Sequence, residues 1–217
     1  MMYQRSYPII AREGWVHIIL VLIASLIVTY FSGLASFPAW LLLLFFVQFF
    51  RDPRRIITSD EGAIVSPASG KVVSICETDN PYQNGDSVFM ISVFMNIFSV
   101  HSNLIPVEGQ VVNRWYHPGR YVNAALDKSS RENERNAIQI RTNDDHDVFC
   151  VQIAGLVARR IICHIKPGDP VGTGQRYGFI RFGSRVDLYI PKTSNIKVKL
   201  GQKVHSGSDI IGFLPAK

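Results

Sequence analysis

The sequence predicts a mainly β domain behind an N-terminal apolar helical hairpin. Three observations carry that expectation. From Gly14 to Phe50 there is no Lys, Arg, Asp or Glu. After Arg55 the chain breaks into short runs rich in β-branched and aromatic residues, separated by Gly, Pro, Asn and Asp clusters. Toward the C-terminus one turn-rich pattern occurs twice, 33 residues apart.

The charge-free stretch has two parts. WVHIILVLIASLIVTYF, from Trp15 to Phe31, and AWLLLLFFVQFF, from Ala39 to Phe50, flank the breaker SGLASFP with Gly33 and Pro38. A bilayer span takes about 20 apolar residues, with a lower limit near 17. The first part just reaches that limit, and the second reaches it only with the breaker residues counted. A hairpin dipping into one leaflet, or two short spans, is therefore expected rather than one long helix. Arg5 and Arg12 precede the stretch; Arg51, Arg54 and Arg55 follow it. Positive charge on both flanks places both ends on the cytoplasmic side. A cleaved signal peptide would be shorter and would lack the second apolar part. A buried helical pair in a soluble core is the other reading. The expected division is a membrane-associating segment over residues 1–55 and a β domain over residues 56–217.

The 217 residues are 47% hydrophobic and 18% charged, enough core for one domain with an appendage. A net charge of +6 suits anionic partners. The apolar stretch beside basic residues favours lipid, and no interleaving of basic and aromatic residues marks a nucleic-acid surface. Cys76, Cys150 and Cys163 form no CxxC pair, and their odd number argues against a disulfide framework. They are expected as reduced, mostly core thiols. Asp144, Asp145, His146 and Asp147 are crowded together, but neighbours along a hairpin point in different directions, so a solvated turn and no metal site are expected.

The runs AIVSPASGKVVSI, SVFMISVF, GQVVNRWY, NAIQIRT, VFCVQIAG, RRIICHI, RVDLYIP and IKVKL indicate an antiparallel sandwich or barrel. The polar stretch from Asn123 to Arg135 interrupts them and is expected as a loop with a short helix. IKPGDPVGTGQRYGF, from Ile165, matches VKLGQKVHSGSDIIGF, from Val198, with Gly168, Val171 and Gly174 aligned on Gly201, Val204 and Gly207. The glycines would supply positive-φ turn positions. Two such units resemble the hammerhead turns of biotinyl and lipoyl carrier domains, which implies a barrel-sandwich-hybrid-like fold. A carrier holds its cofactor on a lysine at a hairpin tip, and neither repeat has a Met-Lys-Met or Asp-Lys-Ala tip.

Between the two repeat units lies RFGSRVDLYIP. Its Gly183–Ser184 dipeptide alone would mark only a turn. The whole segment, however, resembles the cleavage segment of the short branch of the phosphatidylserine decarboxylases. FFRDPRR, SPASGKVV at Ser66, FSVHSNLIPVEGQV at Phe98 and YHPGRYVNAALDKSSRENERN at Tyr116 agree with that family in order and spacing. Together they cover most of residues 49–190.

The resemblance implies a proenzyme. The Ser184 side-chain oxygen would attack the Gly183 carbonyl, converting the amide to an ester. Loss of that ester would leave dehydroalanine, which hydrolyses to ammonia and a pyruvoyl group heading residues 184–217, with residues 1–183 as the other chain. Glycine leaves the carbonyl open, and serine needs a positioned base. In the family a histidine and an aspartate serve the serine in a triad-like arrangement. The histidine matches His101. The aspartate lies in SPADG, where this chain has SPASG and Ser69, a residue that accepts a hydrogen bond but brings no charge. Another carboxylate could supply that charge; Asp60, Glu61 and Asp86 are candidates, and the sequence does not choose among them. Some members carry a second histidine where this chain has Phe98. The NER of Asn133 to Arg135 also resembles a family motif, with no role assigned to it.

The same resemblance implies decarboxylation of phosphatidylserine to phosphatidylethanolamine, with the pyruvoyl group as covalent cofactor and electron sink and no metal or diffusible cofactor. The implied partners are the phospholipid, the cytoplasmic face of the cell membrane and the two chains of one precursor. A homo-oligomer and the lipid's tail type, diacyl or ether, stay open. The alternatives are a non-catalytic, membrane-anchored carrier-like domain and an unprocessed inactive relative.

Overall fold

The structure, a computed structural model, describes residues 8–58, 60–83, 87–120, 132–155, 160–181 and 183–215. The chain forms two compact units, one within Arg5–Arg54 and one within Arg55–Lys217. Arg5, Asp86 and residues 123–131 of the expected loop lie outside the described residues.

The first unit is helical. Helix α1 (Trp15–Ser32) passes through a 3-10 turn (Gly33–Ser36) into α2 (Phe37–Phe49). Gly33, at φ +52°, makes the reversal that a side chain would resist. Pro38 sits in the first turn of α2, where its missing N–H leaves no helical bond unmade. The limbs run back along each other. Ser25 is fully buried and its Oγ donates to the Ala39 carbonyl at 3.1 Å, while Trp40 Nε1 donates to Thr29 Oγ1 at 3.0 Å. At the open end the Ala11 amide donates to the Phe50 carbonyl at 2.8 Å, and the rings of His17 and Phe50 stack 5.6 Å apart.

Val16, Leu20, Ile23, Ile27 and Phe31 of α1, with Leu41 and Leu44 of α2, turn their apolar surface outward. Such a surface fits lipid rather than water. At 1.5 Å per residue the limbs are roughly 27 Å and 20 Å long, against a hydrocarbon core of about 30 Å. The helical run Arg12–Phe49 is long and apolar enough to cross a membrane by length and composition.

The second unit is built from strands. They are β1 (Ala63–Val65), β2 (Gly70–Asp79), β3 (Ser87–Met95), β4 (Ser102–Leu104), β5 (Gly109–His117), β6 (Arg135–Arg141) and β7 (Asp147–Ile153). They continue as β8 (Ile161–Cys163), β9 (Pro170–Val171), β10 (Arg176–Ile180), β11 (Ser184–Pro191), β12 (Asn195–Ile196), β13 (Lys203–Val204) and β14 (Ile210–Phe213). Eight of them form one antiparallel sheet, in the order β13-β2-β3-β11-β7-β6-β5-β9. Two three-stranded sheets, β4-β10-β8 and β1-β14-β12, complete the unit.

Alternation along the strands sorts the core. Val72, Ile91, Val93, Val186, Leu188, Ile138 and Cys150 join Ile64, Ile105, Tyr177, Ile180 and Ile211 of the small sheets in the main core. The other face of the large sheet gathers Phe149, Val151, Ile153 and Tyr189 around Tyr82 and Trp115. Strand β11 lies in mid-sheet and is buried on both faces, which explains why RVDLYIP lacks a solvent-facing polar period.

The repeat seen in the sequence is a structural pseudo-twofold. Gly168 and Gly201 have φ of +93° and +84°; Gly174 and Gly207 have +75° and +78°. Gly168 N–H donates to the Val111 carbonyl at 2.8 Å, and Gly201 N–H to the Val72 carbonyl at 2.8 Å. Val111 N–H answers to Asp169 at 3.0 Å and Val72 N–H to Gln202 at 2.9 Å. The repeats thus supply β9 and β13, the two outer strands of the large sheet, each only two residues long. Edges this short offer little backbone for unwanted pairing. The mainly β, barrel-sandwich-like architecture expected from the sequence is the one observed.

Candidate active site

Gly183 enters β11 at φ +59°, where a Cβ would meet nothing within 4 Å. Glycine is needed there for the backbone angle, and its surroundings are open. Ser184 follows fully buried, and its Oγ has no hydrogen-bond partner among the described residues. A buried hydroxyl left unsatisfied costs about 1–3 kcal/mol, so such an atom calls for a functional account.

Ser184 pairs with Met95 on β3. The next residue, Arg185, pairs with Ile153 on β7, which in turn pairs with Arg135 on β6. One position outward, the Ala154 amide donates to the Glu134 carbonyl at 2.9 Å. Met95, Ser184, Ala154 and Glu134 therefore form a row across one end of the large sheet. In-register neighbours share a face, and Met95 and Ala154 belong to the main core, so the row faces inward. Glu134 is only 3% exposed. Its Oε1 accepts from Tyr116 Oη at 3.0 Å and from the Ile161 amide at 3.4 Å. Its Oε2 is buried without a partner among the described residues.

The small sheet brings His101 to the same end. Phe179 of β10 pairs with Ser102, Ile180 pairs with Ile161 of β8, and the Ile180 amide donates to the His101 carbonyl at 3.3 Å. His101 is fully buried, its ring 6.2 Å from that of Phe179. Arg55 Nη2 donates to Ser102 Oγ at 3.2 Å, which gives this arginine a partner within the β unit. One row inward, amides stitch the sheets together. Arg114 Nε donates to Asn136 Oδ1 at 2.8 Å, Asn136 Nδ2 to Gln152 Oε1 at 3.0 Å, and Gln152 Nε2 to Asn103 Oδ1 at 2.9 Å.

Ser69, expected from the sequence to stand in for an aspartate beside His101, bonds to Ser206. Its Oγ lies 2.9 Å from Ser206 Oγ and accepts from the Ser206 amide at 3.0 Å. Asp60 and Glu61 are exposed in the turn before β1. Phe98 is exposed in the turn after β3. Asp144 to His146 lie in the β6–β7 turn, with Asp145 at φ +64°, and Asp147 opens β7, bonded through both oxygens to Arg141. All three cysteines are free. Cys76 is exposed, Cys163 half-buried and Cys150 buried 3.1 Å from Tyr177 Oη, where burial pushes its thiol up to about 12.

Sequence reasoning singled out Ser184 and His101, noted Glu134 only within the NER motif without a role, and passed over Asn136, Gln152 and Asn103. The last two carried a usable signal, an amide inside the apolar runs VFCVQI and HSNLI.

The comparisons with known proteins give this arrangement a class. Residues 42–212 match the model of the phosphatidylserine decarboxylase family, and the chain belongs to that family. Its relatives carry a more particular name, phosphatidylserine decarboxylase proenzyme. That of Aromatoleum aromaticum is 54% identical over 96% of this chain and 97% of its own length. That of Burkholderia pseudomallei is 51% identical over 96% and 97%, and that of Nitrosomonas europaea 49% identical over 94% and 95%.

Proposed function

We propose that the chain is a self-processing phosphatidylserine decarboxylase that makes phosphatidylethanolamine at the cytoplasmic face of the cell membrane. The observation that carries this reading is the buried, unpartnered Ser184 hydroxyl directly behind a left-handed glycine. In the precursor, His101 takes the Ser184 proton as the oxygen adds to the Gly183 carbonyl. The amide nitrogen leaves as the new ester forms. Removal of the Ser184 α-proton then expels the Gly183 carboxylate, ending one chain at residue 183. Addition of water to the resulting dehydroalanine and loss of ammonia leave a pyruvoyl group at residue 184.

The surroundings fit that group. It is made from residue 184 itself, held by β3 on one side and β7 on the other, beside the small side chain of Ala154. Once formed, it supplies a sink for the electrons released when the substrate's carboxyl group leaves. The chain's own residues do the rest. Met95 and Ala154 keep water from the row, and the Asn136–Gln152–Asn103 ladder fixes the spacing of the sheets. Residues 1–55 bring the enzyme to the bilayer that holds its substrate, and residues 56–217 form the decarboxylase domain.

Intact-mass spectrometry tests the reading. The purified protein should contain two chains divided between Gly183 and Ser184, the smaller with a blocked N-terminus. Ser184→Ala should leave one chain. A native protein of 24.4 kDa in one piece would sink the proposal.

A further inference from the structure

Glu134 lies outside every role assigned so far, yet it carries a buried carboxylate oxygen with no partner among the described residues, in the same row as Ser184. We propose that Glu134 forms the subsite for the primary ammonium of the lipid headgroup, with Oε2 holding that group over Ala154 beside residue 184. The inference rests on the phosphatidylserine reading and adds the residue that recognises the amine.

Three features carry it. The first is electrostatic. A carboxylate oxygen removed from water without a donor is costly, and a cation brought to it offsets that cost. The second is direction. Oε1 is tethered to Tyr116 Oη and to the Ile161 amide, so the plane of the carboxylate is set and Oε2 is preorganised. The third is spacing. Ser184 and Glu134 are two strands apart, about 9.6 Å between Cα atoms at the usual strand separation. That is too far for the two side chains to bond directly. A headgroup bridging them would lie over Ala154, whose methyl projects less than the neighbouring side chains of the row.

The chemistry asks for such a group. A primary ammonium has N–H donors and no acceptor, so an anionic oxygen is its natural partner. It attacks a carbonyl only as the neutral amine. The oxygen that orients the ammonium also takes its proton: an N–H bond breaks, the proton moves to Oε2, and nitrogen keeps the electron pair. The other buried carboxylate nearby in the fold, Asp187, is already paired with Arg185 and alternates to the opposite face from Ser184.

Binding to the uncut Ser184→Ala chain tests the proposal without turnover. Dihexanoyl phosphatidylserine should bind that chain, and adding Glu134→Gln should weaken it by about tenfold or more. Dihexanoyl phosphatidylglycerol, which has the phosphate but no amine, should bind both chains alike. Unchanged phosphatidylserine affinity, equal loss for both lipids, or no phosphatidylserine binding by the Ser184→Ala chain would each overturn the subsite. Tyr116→Phe, which removes one tether of Oε1 and keeps the carboxylate, should give a smaller loss and serves if Glu134→Gln does not fold. Cutting of the unaltered protein reports on the self-processing reading, and the binding difference between the two uncut chains reports on this one.

Discussion

Ser69 and Ser206 share a buried hydrogen-bond pair: their hydroxyls lie 2.9 Å apart, and the Ser206 amide donates to the Ser69 oxygen at 3.0 Å. Ser69 thus holds the second repeat's turn. Ser69→Ala should leave the Ser206 amide unsatisfied and cost about 1–3 kcal/mol. For a chain of this size each kcal/mol lowers the melting temperature by about 2–4 °C. Thermal unfolding should show that drop while the intact-mass pattern stays that of the cut protein. A Ser69→Ala chain of unchanged stability that no longer cuts would give Ser69 a chemical role instead.

His101 is the buried base candidate at the Ser184 end of the sandwich. His101→Ala should accumulate uncut precursor, seen as a single chain on a denaturing gel. Cutting at the normal rate in that variant would remove His101 from the self-processing step.

Arg185 and Asp187 form an ion pair with Nε to Oδ1 at 2.8 Å and Nη2 to Oδ2 at 3.0 Å, both side chains almost fully buried. Removing one partner unbalances the charge held in the core. Arg185→Leu should cost about 3–5 kcal/mol in urea unfolding, and the double change with Asp187→Leu should recover most of it. Equal losses in the single and double variants would show that packing, not charge, dominates there.

Burial raises Cys150 from 9.0 to about 12 and also raises the Tyr177 and Tyr189 hydroxyls. The folded state therefore favours their neutral forms. The stabilisation is fully present below the unfolded value and is lost as pH rises from 9.0 toward about 12. The melting temperature should fall across that window. At neutral pH the exposed Cys76 should alkylate and Cys150 should not, because the thiolate is the reactive form. Labelling of Cys150 in the native protein would contradict its burial.

Much of this architecture was legible in the sequence, because its devices are local. The charge-free stretch with Gly33 and Pro38 announces a folded-back helical pair. The glycines at positions 168, 174, 201 and 207 announce turns that only positive φ permits, and their common offset announces a pseudo-twofold. The site was legible only in part. Ser184 and His101 belong to segments with a recognisable pattern. Glu134 lies in such a segment too, but its tie to Ser184 shows only once register is known, since their row runs through Ala154. The partner of Ser69 was illegible in the same way: Ser206 lies far along the chain in the second repeat, beyond any spacing argument.

Strand β11 begins at Ser184 and lies between β3 and β7 in the middle of the large sheet. A break before Ser184 therefore gives the short chain a central strand, together with β12, β13 and β14, rather than a loose end. The cut enzyme would be a heterodimer whose subunits share one core. Its unfolding would change from a unimolecular to a dissociative process, dependent on protein concentration, and the fragment of residues 184–217 could not be exchanged without opening the sheet on both sides.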